Sequence, residues 1–378
     1  MLPLRPLPVL SYPLFSTVFK LVYFLWIAVR LPLWLFSYAL IPSSRAQPNW
    51  TLHQALLVRL AREVIHMRSV TRTSPGSSVK SHVNGMTIIE PSASFLYREV
   101  LDVERPPASI RGTWYPRPLT QPPALPASSR IMLHMHGGAF IMGSSRQDYL
   151  GFLCSTMVNY SGFTAVFAPE YRLSSGPCPP TFPAALQDML TSYLYLVNTA
   201  GTPPDKLTVS GDSAGANLII AFLRYLSRHA DSMGVPLPAS AILVSPWVAP
   251  NRLTDSNYSS EANPQFKSDY LPHSHLHWGA NAYIGDNSPS NPYISPIGYP
   301  FSTPVRILVT VGTAELFKDD IVQWAHEMQQ VEGNDVRLNY EEGAPHDTLL
   351  VGSMLGWKES AESVAAVIGA FVQEKYVV

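Results

Sequence analysis

One run of nine residues, Leu207-Thr208-Val209-Ser210-Gly211-Asp212-Ser213-Ala214-Gly215, constrains this chain more than any other stretch. Leu207 to Ser210 reads as a buried strand, the turn follows with no spacer, and Asn217 to Tyr225 has helical apolar character. A strand that passes at once into a helix is the local signature of a parallel sheet with helical crossovers. The chain after Arg130 keeps that rhythm, with short apolar runs at Ile131–Met135, Thr164–Ala168, Ala241–Val244, Ile307–Val311 and Val336–Tyr340. The expected fold class is therefore α/β, a mostly parallel sheet flanked by helices. Residues 247–300, rich in Asn, Ser, Pro and aromatics, interrupt the rhythm and are expected to form an insertion over the active site.

The segment before Arg130 reads differently. Leu14 to Ile41 is almost wholly apolar, long enough for a bilayer span, with Lys20, Arg30 and Pro32 as its main interruptions. Leu21 to Ile41 holds twelve Leu, Ile, Val or Phe residues. Each is favourable by about 0.3–0.6 kcal/mol at mid-bilayer, against about 3 kcal/mol for Arg30, so insertion wins narrowly. The expectation is a membrane partner, through a single-pass anchor in the endoplasmic reticulum. A cleaved signal peptide with Arg5 in its n-region, or a helix packed on the protein's own surface, are the other readings. Basic residues on both sides leave the orientation open. Leu52, Leu56, Leu60 and Val64 have helix spacing, and a Pro-rich run ends at Pro126. Three domains are expected: 1–45 an anchor, 46–125 a cap or lead-in, 126–378 the catalytic domain. Asn49, Asn159 and Asn257 head tripeptides that accept glycans only in a lumenal domain. The 26 basic residues against 27 acidic ones give a net charge of −1, which excludes nucleic acid as a partner. Cys154 and Cys178 are too few for a disulfide framework and are expected as free thiols, with one bridge between them as the alternative.

Small residues at 211 and 215 let the turn lift the Ser213 hydroxyl above the sheet, at a helix N-terminus that favours developing negative charge. Ser213 is the candidate nucleophile. Upstream, His134-Met135-His136-Gly137-Gly138-Ala139-Phe140 follows the Ile131–Met135 strand, and paired glycines let backbone N–H groups approach a substrate oxygen. The oxyanion donors are expected to be Gly137, Gly138 and Ala214, with His136 ordering the loop. His-Gly-Gly paired with Gly-Asp-Ser-Ala-Gly resembles the hormone-sensitive-lipase-like branch of the α/β-hydrolases, over about residues 130–350. Tyr171-Arg172-Leu173, Phe182-Pro183-Ala184-Ala185, Ser245-Pro246-Trp247 and the run Val311 to Asp320 add to the likeness. This chain departs from the usual pattern at Glu315, where Asp is commoner, and at Ala139, where Gly is often found.

The order Ser, acid, His places Glu315 after the Ile307–Val311 strand and His346 after Val336–Tyr340. His346 is the expected base and Glu315 its orienting acid, with Asp319 and Asp320 as rivals and Asp347 expected in solvent or behind the base. His273, His275 and His277 invite a metal reading, but no carboxylate or thiol accompanies them, so neither metal nor cofactor is expected. Nearby Tyr258, Phe266, Tyr270, Trp278 and Tyr283 are expected to line a pocket or pack the cap. The resemblance implies a carboxylic-ester hydrolase acting on a small-molecule ester with a short acyl group such as acetate. Fungal members with an N-terminal hydrophobic leader act on steryl acetates or secondary-metabolite esters. Acyl transfer to a second alcohol, and a ligand-binding protein without turnover, are the alternatives.

Overall fold

In the computed structural model, which describes residues 8–73, 85–117, 119–123, 126, 128–176 and 179–374, strand β5 (Leu207–Asp212) is buried along its whole length. Its sequence explains why it tolerates this. Leu207 and Val209 enter the larger hydrophobic core, while Thr208 and Ser210 on the other face pair with Ser240 at 2.9 Å and His134 at 3.2 Å. Around β5 stand β1 (Thr87–Ile89), β2 (Ile110–Tyr115), β3 (Ile131–Met135), β4 (Ala165–Glu170), β6 (Ser240–Val244), β7 (Arg306–Gly312) and β8 (Val336–Glu341). The eight-stranded order is β1-β2-β4-β3-β5-β6-β7-β8, antiparallel at β1/β2 and β2/β4 and parallel elsewhere.

Side chains alternate between the two faces at the period of a strand. Leu133, Ile307 and Val309 pack with α4 (Ala184–Leu194), α5 (Ala214–Met233) and α7 (Lys318–Gln329). Met132, Ile242 and Leu308 pack with α3 (Gln147–Tyr160), α9 (Lys358–Gln373) and Leu349 of α8 (Thr348–Leu355). Each such fully buried aliphatic side chain contributes about 1.5–3 kcal/mol.

The expected boundary between residues 125 and 126 falls inside this sheet. β2 pairs with β4, Gly112 leaves room for the Phe167 ring, and Trp114 lies against it at 4.7 Å. Segment 46–125 therefore supplies the outermost strand β1 and the strand β2 that joins it to β4. Arg5, Cys178 and Leu125 lie outside the described residues; Cys154 is a free, buried thiol.

α2 (Leu52–Val70) packs against α6 (His273–Ile284) from residues 247–300. α2 begins with a capping box between Thr51 and Gln54. Arg62 reaches the insertion, donating from Nη1 to the carbonyls of Phe266 (2.6 Å) and Asp269 (2.9 Å). Trp50 Nε1 donates to the Gly343 carbonyl at 2.7 Å and Gln54 Nε2 to that of Gly356 at 2.8 Å, so the start of α2 is fastened on both sides of His346. α1 (Pro13–Leu40) is 28 residues long and apolar enough to cross a membrane, yet it lies against α2. Tyr23 donates to Glu63 Oε2 at 2.6 Å, and the Arg59 guanidinium stands 4.9 Å over the Trp34 ring.

Candidate active site

Ser213 sits between β5 and α5 at φ 52°, ψ −116°, a conformation that costs about 1–3 kcal/mol and persists only where its surroundings enforce it. Two hydrogen bonds do so: Ser213 N–H to the Val244 carbonyl at 2.8 Å, and Trp247 N–H to the Ser213 carbonyl at 3.0 Å. Glycine is required on both sides. A Cβ at Gly211 would strike the Gly215 backbone, and one at Gly215 the Met135 carbonyl. Of the seven described non-glycine residues with positive φ, five (Ala139, Phe140, Ser213, Ser245 and Asp347) gather at the carboxyl edge of the sheet. Strain is thus concentrated where the sequence places its chemistry.

His346 and Glu315 come from loops after β8 and β7 and meet at 3.2 Å, Nδ1 to Oε2, with both side chains buried. Burial works against a charged ring, but the hydrogen bond and charge of Glu315 outweigh it and hold the imidazole above its ordinary value. Its Nε2 is buried with no partner among the described residues. The two rival acids are elsewhere: Asp320 pairs with Arg252 at 2.6 Å, and the exposed Asp319 lies 3.5 Å from Lys318. The insertion braces the acid loop. Buried Asp269 accepts from Leu316 N–H at 2.6 Å, and Ser268 Oγ donates to the Ala314 carbonyl at 2.8 Å.

The loop after β3 requires a correction. Gly137 N–H donates to Asp212 Oδ2 at 2.8 Å, so it has no hydrogen left for a substrate oxygen. The N–H groups of Gly138, Ala139 and Ala214 have no acceptor among the described residues. Gly138, at φ 109°, has no room for a side chain against the Met142 carbonyl. His136 is held by stacking on Tyr171 at 4.3 Å and by its Nδ1 contact with the Gly137 carbonyl at 2.7 Å.

Asp212 belongs to a buried network that the motif alone does not reveal. Its Oδ1 meets His134 Nε2 at 3.0 Å, and His134 Nδ1 meets Ser210 Oγ at 3.2 Å. The signals were a histidine inside the apolar strand Ile131–Met135, and Ser210 and Asp212 two apart on one face of β5. Asp347, expected in solvent or behind the base, is buried. It caps α8 by accepting from Leu350 N–H at 3.2 Å, and its N–H donates to Ser245 Oγ at 3.1 Å. Burial, then the Asp212 charge, push the Asp347 carboxyl well above the usual carboxylate range, whereas His134 holds Asp212 below it despite burial.

Of the five cap aromatics singled out in the sequence, Tyr270 reaches His346, with ring centroids 6.0 Å apart. Phe317 stands edge-on to His346 at 5.2 Å and stacks with Trp247 at 6.0 Å, which in turn stacks with Phe140 at 6.1 Å. Tyr283 stacks on Phe140, while Phe266 and Trp278 lie under Arg62 and Arg72. His275 is buried at 3.2 Å from the Ser69 hydroxyl, and His277 Nδ1 lies 2.9 Å from the Leu253 carbonyl. Among the described residues no group of three ligands could hold a metal ion.

Residues 132–350 match a family model described as alpha/beta hydrolase fold. The chain is 33% identical over 191 residues to an acetyl-hydrolase of Streptomyces hygroscopicus, covering 50% of this chain and 59% of that one. It is 25% identical over 214 residues to a putative steryl acetyl hydrolase of Schizosaccharomyces pombe, covering 52% and 53%. The chain therefore spans less than two thirds of either relative's length. An esterase from the bacterial hormone-sensitive lipase family superposes with a TM-score of 0.60 at 20% identity, covering 86% of this chain and 98% of that one.

Proposed function

The chain belongs to the alpha/beta-hydrolase fold family and is hormone-sensitive-lipase-like in architecture, and from that premise we propose that it is a serine carboxylic-ester hydrolase acting through an acyl-enzyme on Ser213. The observation that carries this reading is the buried His346–Glu315 pair, whose outer nitrogen is left unpartnered on the edge of the sheet that presents Ser213. In the proposed cycle His346 Nε2 takes the Ser213 proton as Oγ attacks the ester carbonyl. The oxyanion is received by the free N–H groups of Gly138, Ala139 and Ala214. His346 then returns the proton to the departing alcohol, leaving an ester on Ser213 that water cleaves by the same route. Glu315 fixes the tautomer and stabilises the imidazolium.

The substrate we favour is a short-chain ester, foremost an acetate, of a hydrophobic alcohol such as a sterol or secondary metabolite. Support comes from the aromatic rings of Tyr270, Phe317 and Trp247 beside the base, and from the names of the acetyl-hydrolase and steryl acetyl hydrolase relatives. We read α1 as the membrane contact of this enzyme, α2 and residues 247–300 as its cap, and the sheet with its helices as the catalytic body. A fluorophosphonate probe should label the wild-type protein at Ser213 and leave Ser213→Ala unlabelled. Labelling that survives the substitution sinks the assignment.

A further inference from the structure

Resting on the reading of α1 as a membrane contact, we propose that this helix lies in the plane of an anionic bilayer and does not cross it. Its two flanks differ in kind. One flank runs along α2 from Tyr23, bonded to Glu63 and ring-packed against His66 at 5.8 Å, to Trp34 under Arg59. The opposite flank carries Leu14, Val18, Leu25, Val29, Phe36 and Leu40, each more than half exposed. These positions recur at helical spacing along the whole element, about 42 Å at about 1.5 Å per residue.

Crossing the bilayer demands one of two costly arrangements. If α1 crosses while still docked, Arg59, Glu63 and His66 of α2 are carried to hydrocarbon depth. If it leaves α2 to cross alone, Tyr23 enters the bilayer without its acceptor and the buried Glu63 loses a donor. An in-plane helix avoids both, because the bare flank enters one leaflet and the bonded flank stays on the protein. Charge identifies the surface. The first 62 residues contain six basic residues, Arg5, Lys20, Arg30, Arg45, Arg59 and Arg62, and no Asp or Glu. Lys20 and Arg30 have no acidic partner among the described residues, whereas the first acidic residue, Glu63, is already engaged by Tyr23 and Arg59. A surface of anionic headgroups supplies the missing counter-charge. The cap helix α2, fastened to the loop of His346, is then held at the lipid face, where an apolar ester is concentrated.

The test uses the full chain and sealed vesicles of phosphatidylcholine with or without phosphatidylserine. The protein should float with the serine-containing vesicles. Lys20→Gln and Arg30→Gln should each weaken binding about fivefold. Leu25→Glu with Val29→Glu should abolish flotation while turnover of soluble p-nitrophenyl acetate continues. Cysteines placed at the two ends, Ser11→Cys and Ser43→Cys, should both react with an impermeant maleimide added outside, read against the unsubstituted protein. If one end reacts only after detergent, the helix crosses and the proposal falls. It falls equally if the chain ignores both vesicles and forms a dimer, since a second copy then covers the flank. Hydrolysis of p-nitrophenyl acetate, and its loss in Ser213→Ala, are measured on the same samples, so a failed orientation is told apart from a failed enzyme assignment.

Discussion

Two histidines are buried against carboxylates, His346 on Glu315 at 3.2 Å in the loops past the sheet and His134 on Asp212 at 3.0 Å inside it. By residue type and burial they are nearly interchangeable. The difference lies in the second nitrogen: His134 Nδ1 meets the Ser210 hydroxyl, while His346 Nε2 meets nothing among the described residues. A His–carboxylate pair with both ring nitrogens engaged is a structural brace, and one with an idle nitrogen is equipped to accept a proton. Pairing alone therefore does not single out a catalytic base.

Substituting the two histidines separates these roles most sharply. His346→Ala should lower kcat by about 10⁴–10⁶, and adding Ser213→Ala should cost little more because such groups act as a unit. His134→Ala should instead leave Asp212 buried without its partner at Oδ1, lowering stability by about 3–5 kcal/mol in denaturant titration while the folded fraction keeps turning over. Equal losses of kcat in the two variants, at equal stability, would erase the distinction.

Glu315→Gln is expected to lower kcat by about 10⁴ with KM nearly unchanged. It should also move the acid limb of the kcat/KM profile. Glu315 raises the basicity of His346, and activity needs the neutral ring, so the wild-type limb lies above that of a free histidine. Without the carboxylate the limb should move to lower pH even as the rate falls. Asp319→Asn and Asp320→Asn, whose carboxylates face Lys318 and Arg252, should leave rate and profile in place. A limb unmoved by Glu315→Gln, or moved by Asp319→Asn, reassigns the acid.

The smallest effect on rate belongs to Asp347→Asn. The amide oxygen can still cap α8, and the position no longer titrates. Because the folded carboxyl is raised, its stabilisation is complete below the ordinary carboxylate range and is lost as pH rises through the raised value. The variant should therefore keep its kcat and show a flatter plot of Tm against pH towards neutrality. A destabilised Asn variant would show that Asp347 is charged in the fold.

The contrast between the two pairs also marks what a sequence can carry. The passage from β5 through Ser213 into α5 was legible because its contacts are local and its glycines are fixed by the turn. Glu315 was legible by its place just past β7. Engagement of Gly137 by Asp212 was not, since it joins residues far apart in the chain that meet only when β3 and β5 pair in register. β1 and β2 were missed because three residues and a mixed Ile-Arg-Gly-Thr-Trp-Tyr run show neither clean alternation nor a long apolar stretch. For Asp347 the sequence left open whether it faces solvent or stands behind the base, because its burial is supplied by α8 and Ser245, which no local pattern announces.

The bond from Trp50 to the Gly343 carbonyl decides where this polypeptide can be cut for production. Trimming to just before Gln47 removes α1 and, with Arg45, one bond to the Trp50 carbonyl at 2.6 Å, but leaves the indole its bond to Gly343. Trimming into α2 beyond Trp50 also removes the ring packed 5.0 Å from Trp357, and with it one fastening of the segment that bears His346. The limit of any shortening is therefore Gln47, whose carbonyl receives the Trp50 N–H at 3.1 Å.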